Sequence, residues 1–186
     1  MTIGLPRMHN EAGERRDFLP AFVARLVRLG CDVVLEHGYG SAMDLAGADY
    51  AGNDHVRFAE ETECYRQELV LVLRYPSEDC IAEMRPGGCL MTMAHFPTRP
   101  GRVQELRDRG IEVVSLDGVV DDTGRRLVEN LRAVGWSGLE VAFDVLEEQY
   151  EEFADPGRDP IRVTVLGAGA VGGHAVHAAI NYGRVD

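Results

Sequence analysis

The 186-residue chain is 45% hydrophobic, and its 31 acidic and 19 basic side chains give a formal net charge of −12. This length allows one ordinary domain, or one domain and part of another. Such an acidic balance argues against a nucleic-acid partner, because phosphate backbones are bound by basic surfaces. Every basic side chain is an arginine, which excludes a lysine Schiff base within this segment.

Targeting and metal signals are lacking in the sequence. There is no signal-peptide pattern and no long apolar span, so we expect a cytoplasmic protein without a membrane segment. His174 and His177 share a predicted helix face but have no third ligand nearby in the sequence, so we expect no metal site. No C-x-x-C spacing occurs, and reduced thiols are expected at Cys31, Cys64, Cys80 and Cys89.

The first two thirds of the chain alternate between strand and helix signals. Pro20 suits the first residue of a helix and Gly30 its end. Residues 69–73 are apolar without alternation, as in a strand buried on both faces of a parallel sheet. The predicted elements are strand 2–5, loop 6–17, helix 20–30, strand 31–35, a short helical or turn segment 44–52, strand 69–73, helix 77–84, strand 89–93, a helix from 100 or 101 to 109, and strand 111–116. This alternation predicts a doubly wound α/β fold with a mostly parallel sheet.

A long helix and a linker follow. Residues 128–153 are predicted to be helical, interrupted only by Gly135 and Gly138, and residues 155–160 have the composition of a linker. We therefore expect a substrate-binding domain over residues 1–127, a bridging helix and linker over 128–157, and a second domain from residue 158 to 186.

The second domain opens with a glycine-rich motif. The apolar run 162–166 leads into G-x-G-x-x-G, and residues 171–180 then have a helical pattern. This strand–turn–helix context favours the dinucleotide-binding interpretation over an ordinary glycine-rich turn. The first glycine permits a tight turn, the second a close approach of pyrophosphate, and the third close packing of helix on strand. We expect the first β-α unit of a Rossmann domain, belonging to a longer enzyme, that binds NAD or NADP through Gly167, Gly169, Ala170, Val171 and Gly172.

Two polar residues stand at predicted strand ends. Arg74 follows the strand 69–73, and His95 follows the strand 89–93. In open α/β sheets, ligands bind outside the carboxyl ends of strands. From the residues alone, Arg74 is either a ligand-binding residue or an arginine paired with Glu78 or Asp79. His95 is either functional or an ordinary loop histidine.

The order of motifs resembles a known family: the N-terminal domain of alanine dehydrogenase and pyridine nucleotide transhydrogenase, with lysine-forming saccharopine dehydrogenases and opine-type members. Six stretches carry the resemblance before the glycine motif. They are Ile3-Gly4-Leu5-Pro6, Gly13-Glu14-Arg15-Arg16 with Leu19-Pro20, Glu36-His37-Gly38-Tyr39-Gly40, Val72-Leu73-Arg74-Tyr75-Pro76, Met93-Ala94-His95, and Gly124-Arg125-Arg126 with Gly135 and Gly138.

The resemblance implies roles for three residues. Arg15 is similar to the arginine that pairs with the substrate carboxylate, although the adjacent Arg16 and a plain surface role are alternatives. Arg74 stands where the family has a lysine; arginine keeps the charge but cannot act as a base, which leaves the substrate open. His95 resembles the catalytic histidine, and imidazole can exchange a proton near neutral pH.

The resulting functional hypothesis is an NAD(P)-dependent oxidoreductase acting on the CH–NH group of an amino acid, like alanine dehydrogenase or saccharopine dehydrogenase. Its partners would be an amino-acid or oxo-acid substrate and, in a possible homo-oligomer, further copies of itself. The alternative is a non-catalytic module that binds a small acid, or an inactive fragment of such an enzyme.

Overall fold

The structure is a computed structural model that describes residues 1–8, 17–52, 54–128, 130–155 and 157–182. The chain divides into two compact units, Met1–Arg126 and Leu127–Asp186. Each unit is described by itself below.

A six-stranded parallel sheet forms the centre of the first unit. Its spatial order is β3-β2-β1-β4-β5-β6, so successive strands are added in one direction from β1 to β3 and in the other from β4 to β6. This is the doubly wound arrangement, in which the strand order changes direction at a crevice outside the carboxyl ends of the central strands. The strands are β1 (Thr2–Leu5), β2 (Asp32–Glu36), β3 (Val56–Ala59), β4 (Leu69–Arg74), β5 (Cys89–Met93) and β6 (Glu112–Ser115).

Short helices connect these strands, and local sequence signals fix their ends. Pro20 is the first residue of α1, where its missing N–H costs nothing. The Ser77 hydroxyl accepts the Cys80 N–H and caps α4. Gly30 and Gly110 follow α1 and α5 with φ values of 84° and 66°, which glycine adopts without strain. The helices are α1 (Pro20–Arg28), α2 (Gly47–Tyr50), α3 (Glu61–Tyr65), α4 (Glu78–Ala82) and α5 (Pro100–Asp108), with 3₁₀ turns at Ser41–Met43 and Leu116–Gly118.

The sheet is buried on both faces. Along β4, Val70 and Val72 pack in one hydrophobic cluster, whereas Leu71 packs in the other. Successive strand residues point to opposite faces, so both faces of β4 are covered. The close packing is sharpest at Gly4 in β1, where an added Cβ would lie 1.9 Å from the carbonyl oxygen of Cys64. The doubly wound fold and the mostly parallel sheet expected from the sequence are confirmed.

The described part of the second unit contains three helices: α6 (Leu131–Gln149), α7 (Glu151–Ala154) and α8 (Ala170–Tyr182). The ring of Phe143 in α6 lies 4.2 Å from that of Tyr182 and 5.8 Å from that of Phe153, measured between centroids. At Gly135 an added Cβ would lie 2.4 Å from the Val171 carbonyl oxygen. This glycine therefore lets α6 and α8 approach closely.

The structure differs from the sequence-based expectation in three places. The strand expected at residues 162–166 is not formed, because a strand needs a hydrogen-bonded neighbour and the described part of this unit offers no other strand. The long helix is not interrupted at Gly135 or Gly138; it ends before Tyr150 instead. Finally, β3 and α3 were not predicted, since four or five residues give too short a periodic signal.

Candidate functional site

His95 is held in an uncommon backbone conformation just beyond β5. Its φ is 52°, in the left-handed region that non-glycine residues seldom occupy. The carboxylate of Asp117 supports it at two points: Oδ2 accepts the His95 backbone N–H at 2.8 Å, and Oδ1 lies 2.7 Å from the ring Nδ1. One carboxylate thus bonds to the main chain of His95 and lies in contact with its imidazole.

Asp117 comes from the neighbouring strand end. Its 3₁₀ turn follows β6, which pairs with β5 in parallel with Ser115 opposite Thr92. Its side chain is 11% exposed, and the Ser115 hydroxyl donates to Oδ2 at 2.8 Å. Partial burial would raise the pKa of Asp117. However, the hydrogen bonds from the His95 N–H and Ser115, with the nearby positive charges of His95 and Arg126, outweigh it and hold the pKa below its ordinary value.

The two ring nitrogens of His95 have different surroundings. Nδ1 lies 2.7 Å from Asp117 Oδ1, a charged contact without hydrogen-bond geometry. Nε2 is the ring nitrogen outside this contact. The side chain is 48% exposed, so a solute can reach it. A histidine oriented by a carboxylate, with its other nitrogen open, is the usual arrangement of a general acid or base.

A cavity of about 380 Å³ lies beside this pair. A tight turn brings Arg126 to it: Val120 and Arg126 form an antiparallel bridge, and Asp121 Oδ1 accepts the backbone N–H of Arg125 at 2.9 Å. The cavity thus combines one cationic, one acidic and one titratable side chain with apolar walls. Its lining includes His95, Phe96, Thr98, Ser115, Asp117 and Arg126.

Arg74 lies at the same edge of the sheet. It is the last residue of β4, is partly buried and stands opposite Met93 of β5, after an irregularity that begins at Leu71. His95 follows Met93 by two residues. The structure therefore places Arg74 and His95 at the carboxyl ends of two adjacent strands. The strand-end positions were predicted from the sequence, but the adjacency was not.

Arg15, the third residue of the predicted substrate site, lies outside the described residues. The described residues on either side of that segment are tied together by Asp17. Its Oδ1 accepts the N–H of Met8 at 3.4 Å, and its Oδ2 accepts the N–H of Gly40 at 2.8 Å. The role of Arg15 stays a prediction.

The glycine-rich turn has features of a phosphate-binding turn. Gly167 has φ 112°, and a Cβ added at Gly172 would lie 1.9 Å from the Gly167 carbonyl oxygen. At Gly169 an added Cβ would meet nothing within 4 Å, so the backbone is open there. Ala170 and Val171 begin α8. The binding role of these five residues stays a prediction.

The part of the chain that the structure describes contains neither a cluster of metal ligands nor a membrane-spanning helix. In that part of the chain, no three His, Cys, Asp or Glu side chains are grouped so that they could hold a metal ion. No helix there has the length and apolar character needed to cross a membrane.

Asp117 was not predicted from the sequence. Arg74 and His95 were predicted from their positions at strand ends, and the same rule applies to Asp117 after β6. The signal was present: Asp117 follows the predicted strand 111–116 directly. What the sequence did not reveal is that β5 and β6 are neighbours.

Comparisons with known proteins agree with this fold and motif order. Residues 4–133 match the family described as alanine dehydrogenase/PNT, N-terminal domain. The chain is similar to an NAD(P) transhydrogenase subunit alpha of Haemophilus influenzae, at 25% identity over 193 residues, covering 100% of this chain and 37% of the relative. It is also similar to the alanine dehydrogenases of Bacillus subtilis (24% identity, 98% and 50% covered) and Mycolicibacterium smegmatis (27%, 98% and 52%).

Solved structures show the same fold. An L-alanine dehydrogenase aligns with a TM-score of 0.78 at 22% identity, covering 98% of this chain and 53% of that one. A transhydrogenase from Sinorhizobium meliloti aligns with a TM-score of 0.69 at 18% identity, covering 96% and 56%. The chain thus spans about half the length, or less, of the relatives that it matches.

Proposed function

Because the chain belongs to the alanine dehydrogenase/PNT N-terminal domain family, which is a family of oxidoreductases, we propose that it provides the substrate domain of an NAD(P)-dependent amino-acid dehydrogenase. The reaction would convert an amino acid, water and the oxidised nucleotide into an oxo acid, the reduced nucleotide and ammonia or an amine, and the reverse, as in alanine dehydrogenase or saccharopine dehydrogenase. The observation that carries this proposal is the His95–Asp117 pair beside a cavity at the carboxyl edge of the sheet.

His95 would move the proton of this reaction. The chemistry supplied by a bound nucleotide is reversible hydride exchange with the substrate α-carbon. When the α-carbon is oxidised, the attached nitrogen must first lose a proton, and Nε2 of His95 is the open nitrogen that can take it. The negative charge of Asp117 at Nδ1 stabilises the imidazolium that forms. In the reverse direction the same nitrogen returns the proton.

Arginines would hold the substrate carboxylate. A guanidinium offers two parallel N–H donors that match the two oxygens of a carboxylate. Arg74 lies on the strand next to the one that leads to His95, so a carboxylate bound there would bring the substrate α-carbon towards the imidazole. Arg15 is the second candidate, from the resemblance in sequence. Two cations would fix the orientation that proton and hydride transfer both need.

The glycine turn would hold the nucleotide pyrophosphate. The open backbone at Gly169 leaves room for phosphate, and the close contact at Gly172 keeps the N-terminus of α8 next to the turn. The free N–H groups of a helix N-terminus attract phosphate. Gly167, Gly169, Ala170, Val171 and Gly172 therefore fit a pyrophosphate, with either NAD or NADP as the whole cofactor.

A turnover assay tests this function. The natural protein that contains this sequence is incubated with NAD or NADP and with L-alanine, L-saccharopine or other amino acids, and absorbance at the nicotinamide band is followed. We expect reduction of the nucleotide with at least one amino acid. If an amino acid or oxo acid binds in calorimetry but no substrate is turned over, the alternative of a non-catalytic binding module is favoured instead. Cytoplasmic residence and a homo-oligomeric state remain predictions.

A further inference from the structure

We propose that Arg102 is a positioning residue for this reaction. It links the segment that follows β4, beginning at Tyr75, to the segment that follows β5, beginning at Ala94. The inference rests on the proposed function, because it assigns to Arg102 the task of holding two groups that the function requires. Arg102 lies in the first turn of α5, and it contacts residues that directly follow both β4 and β5.

The first contact is with the peptide unit that precedes His95. Nη1 of Arg102 donates a hydrogen bond to the Ala94 carbonyl at 2.9 Å. The N–H of the same peptide unit belongs to His95 and donates to Asp117 at 2.8 Å. The peptide plane between Ala94 and His95 is thus held at both ends, by a cation on one side and an anion on the other.

The two hydrogen bonds of this peptide unit matter because His95 has a φ of 52°. A non-glycine residue in this region is strained unless its surroundings fix it there. Ala94 is fully buried, so its carbonyl needs a partner within the protein. If Arg102 is removed, rotation of the peptide plane becomes easier, and the imidazole moves with it.

The second contact is with Tyr75, in the segment that follows β4. The guanidinium carbon of Arg102 lies 4.0 Å from the centre of the Tyr75 ring, and Tyr75 directly follows Arg74. The Tyr75 hydroxyl donates to Glu105 Oε2 at 3.1 Å, and Glu105 lies one helical turn after Arg102 on α5. Burial, followed by the hydrogen bond to Glu105 and its charge, raises the pKa of Tyr75, so the phenol remains a donor. Two residues of α5 therefore contact Tyr75: Arg102 lies over its ring, and Glu105 accepts a hydrogen bond from its hydroxyl.

Arginine is suited to this place, because its planar group can stack on a ring and donate from its edge at the same time. Lysine would keep the charge and could still donate to Ala94, but it lacks the flat surface for Tyr75. The two loops would then be held less rigidly relative to each other. The geometry therefore predicts an intermediate effect for Arg102→Lys and a larger one for Arg102→Met, which keeps only the aliphatic stem.

The experiment compares Arg102→Met and Arg102→Lys with Arg107→Met in the natural protein that contains this sequence. Arg107 is an exposed arginine of the same helix, and its replacement is the matched control. We expect Arg102→Met to lower kcat about 10–100-fold, with Arg102→Lys between it and wild type and Arg107→Met unchanged. The KM for the nucleotide should stay the same. Amide hydrogen exchange at His95 should accelerate in Arg102→Met alone, because the peptide plane is released.

Parallel measurements separate this inference from the proposed function. His95→Ala with normal turnover would refute the function itself. A His95→Ala variant without turnover, together with a folded Arg102→Met variant of normal kcat and unchanged His95 exchange, overturns only the role of Arg102. If Arg102→Met does not fold, Arg102→Lys and Tyr75→Leu decide the matter: normal kcat in both overturns the inference, and a lowered kcat in both supports it.

Discussion

Replacing Asp117 by asparagine tests how the site holds His95. The carboxylate accepts hydrogen bonds from the His95 backbone N–H and from the Ser115 hydroxyl, both at 2.8 Å, and its other oxygen lies 2.7 Å from the ring Nδ1. Asparagine is nearly isosteric but has only one accepting oxygen and no charge. The backbone bond can survive through that oxygen, whereas the contact with Nδ1 becomes one between two groups that can both donate.

The expected loss follows from the contact at Nδ1. A hydrogen bond to a charged group contributes about 1.5–3 kcal/mol, and each 1.36 kcal/mol changes a rate about tenfold. If the imidazolium forms in the transition state, Asp117→Asn should lower kcat about 10–150-fold. The KM for the nucleotide should change little, because the glycine turn belongs to the other unit.

The assay is steady-state kinetics at several pH values, with Ser115→Ala as the control. That control removes one neutral donor to Asp117 and leaves its charge, so we expect a much smaller effect on kcat. A folded Asp117→Asn variant with wild-type kcat would refute the reasoning that the carboxylate stabilises the imidazolium.

The pKa of Asp117 is lowered in the folded protein. The contribution of Asp117 to stability is therefore present above the ordinary pKa of 3.8 and disappears as the pH falls through the lowered pKa.

Three further predictions concern the packing and the two binding sites. Gly4→Ala should destabilise the protein by about 1–3 kcal/mol in urea unfolding, because the new Cβ would lie 1.9 Å from a backbone oxygen; Gly52→Ala, which meets nothing within 4 Å, should not. Gly172→Ala should distort the glycine turn for the same reason and weaken NAD(P) binding in calorimetry, whereas Gly173→Ala, with open space around it, should leave binding unchanged. Arg15→Ala should weaken substrate binding by about 1.5–3 kcal/mol, and an unchanged specificity constant would exclude its carboxylate role.

Much of the fold could be predicted from the sequence wherever proline, glycine or polar residues clearly mark the ends of an apolar run. The strand 89–93 was predicted with its exact limits, because Pro86, Gly87 and Gly88 precede it and polar residues follow it. Pro20 located the start of α1 for a similar local reason. By contrast, β3 has only four residues, and its two larger apolar side chains, Val56 and Phe58, are too few to establish a period of two.

Only part of the candidate site could be predicted from the sequence. Arg74 and His95 could be found because each follows a strongly apolar strand. Asp117 and Arg102 could not, since their importance depends on which strands are neighbours and on which face of α5 meets the Tyr75 ring. The run 162–166 has a strand pattern but no strand in the structure, because pairing with a neighbour, and not the pattern, makes a strand.

The central claim is that Nε2 of His95 transfers the proton of an amino-acid dehydrogenase, and His95→Ala in the natural protein tests it most directly. His55→Ala is the matched control: His55 Nδ1 also lies 2.7 Å from a carboxylate, that of Asp32, but Asp32 begins β2 at the opposite edge of the sheet. We predict that His95→Ala lowers kcat about 10²–10⁴-fold, while His55→Ala leaves kcat unchanged. A folded His95→Ala variant with near-normal kcat would contradict this claim.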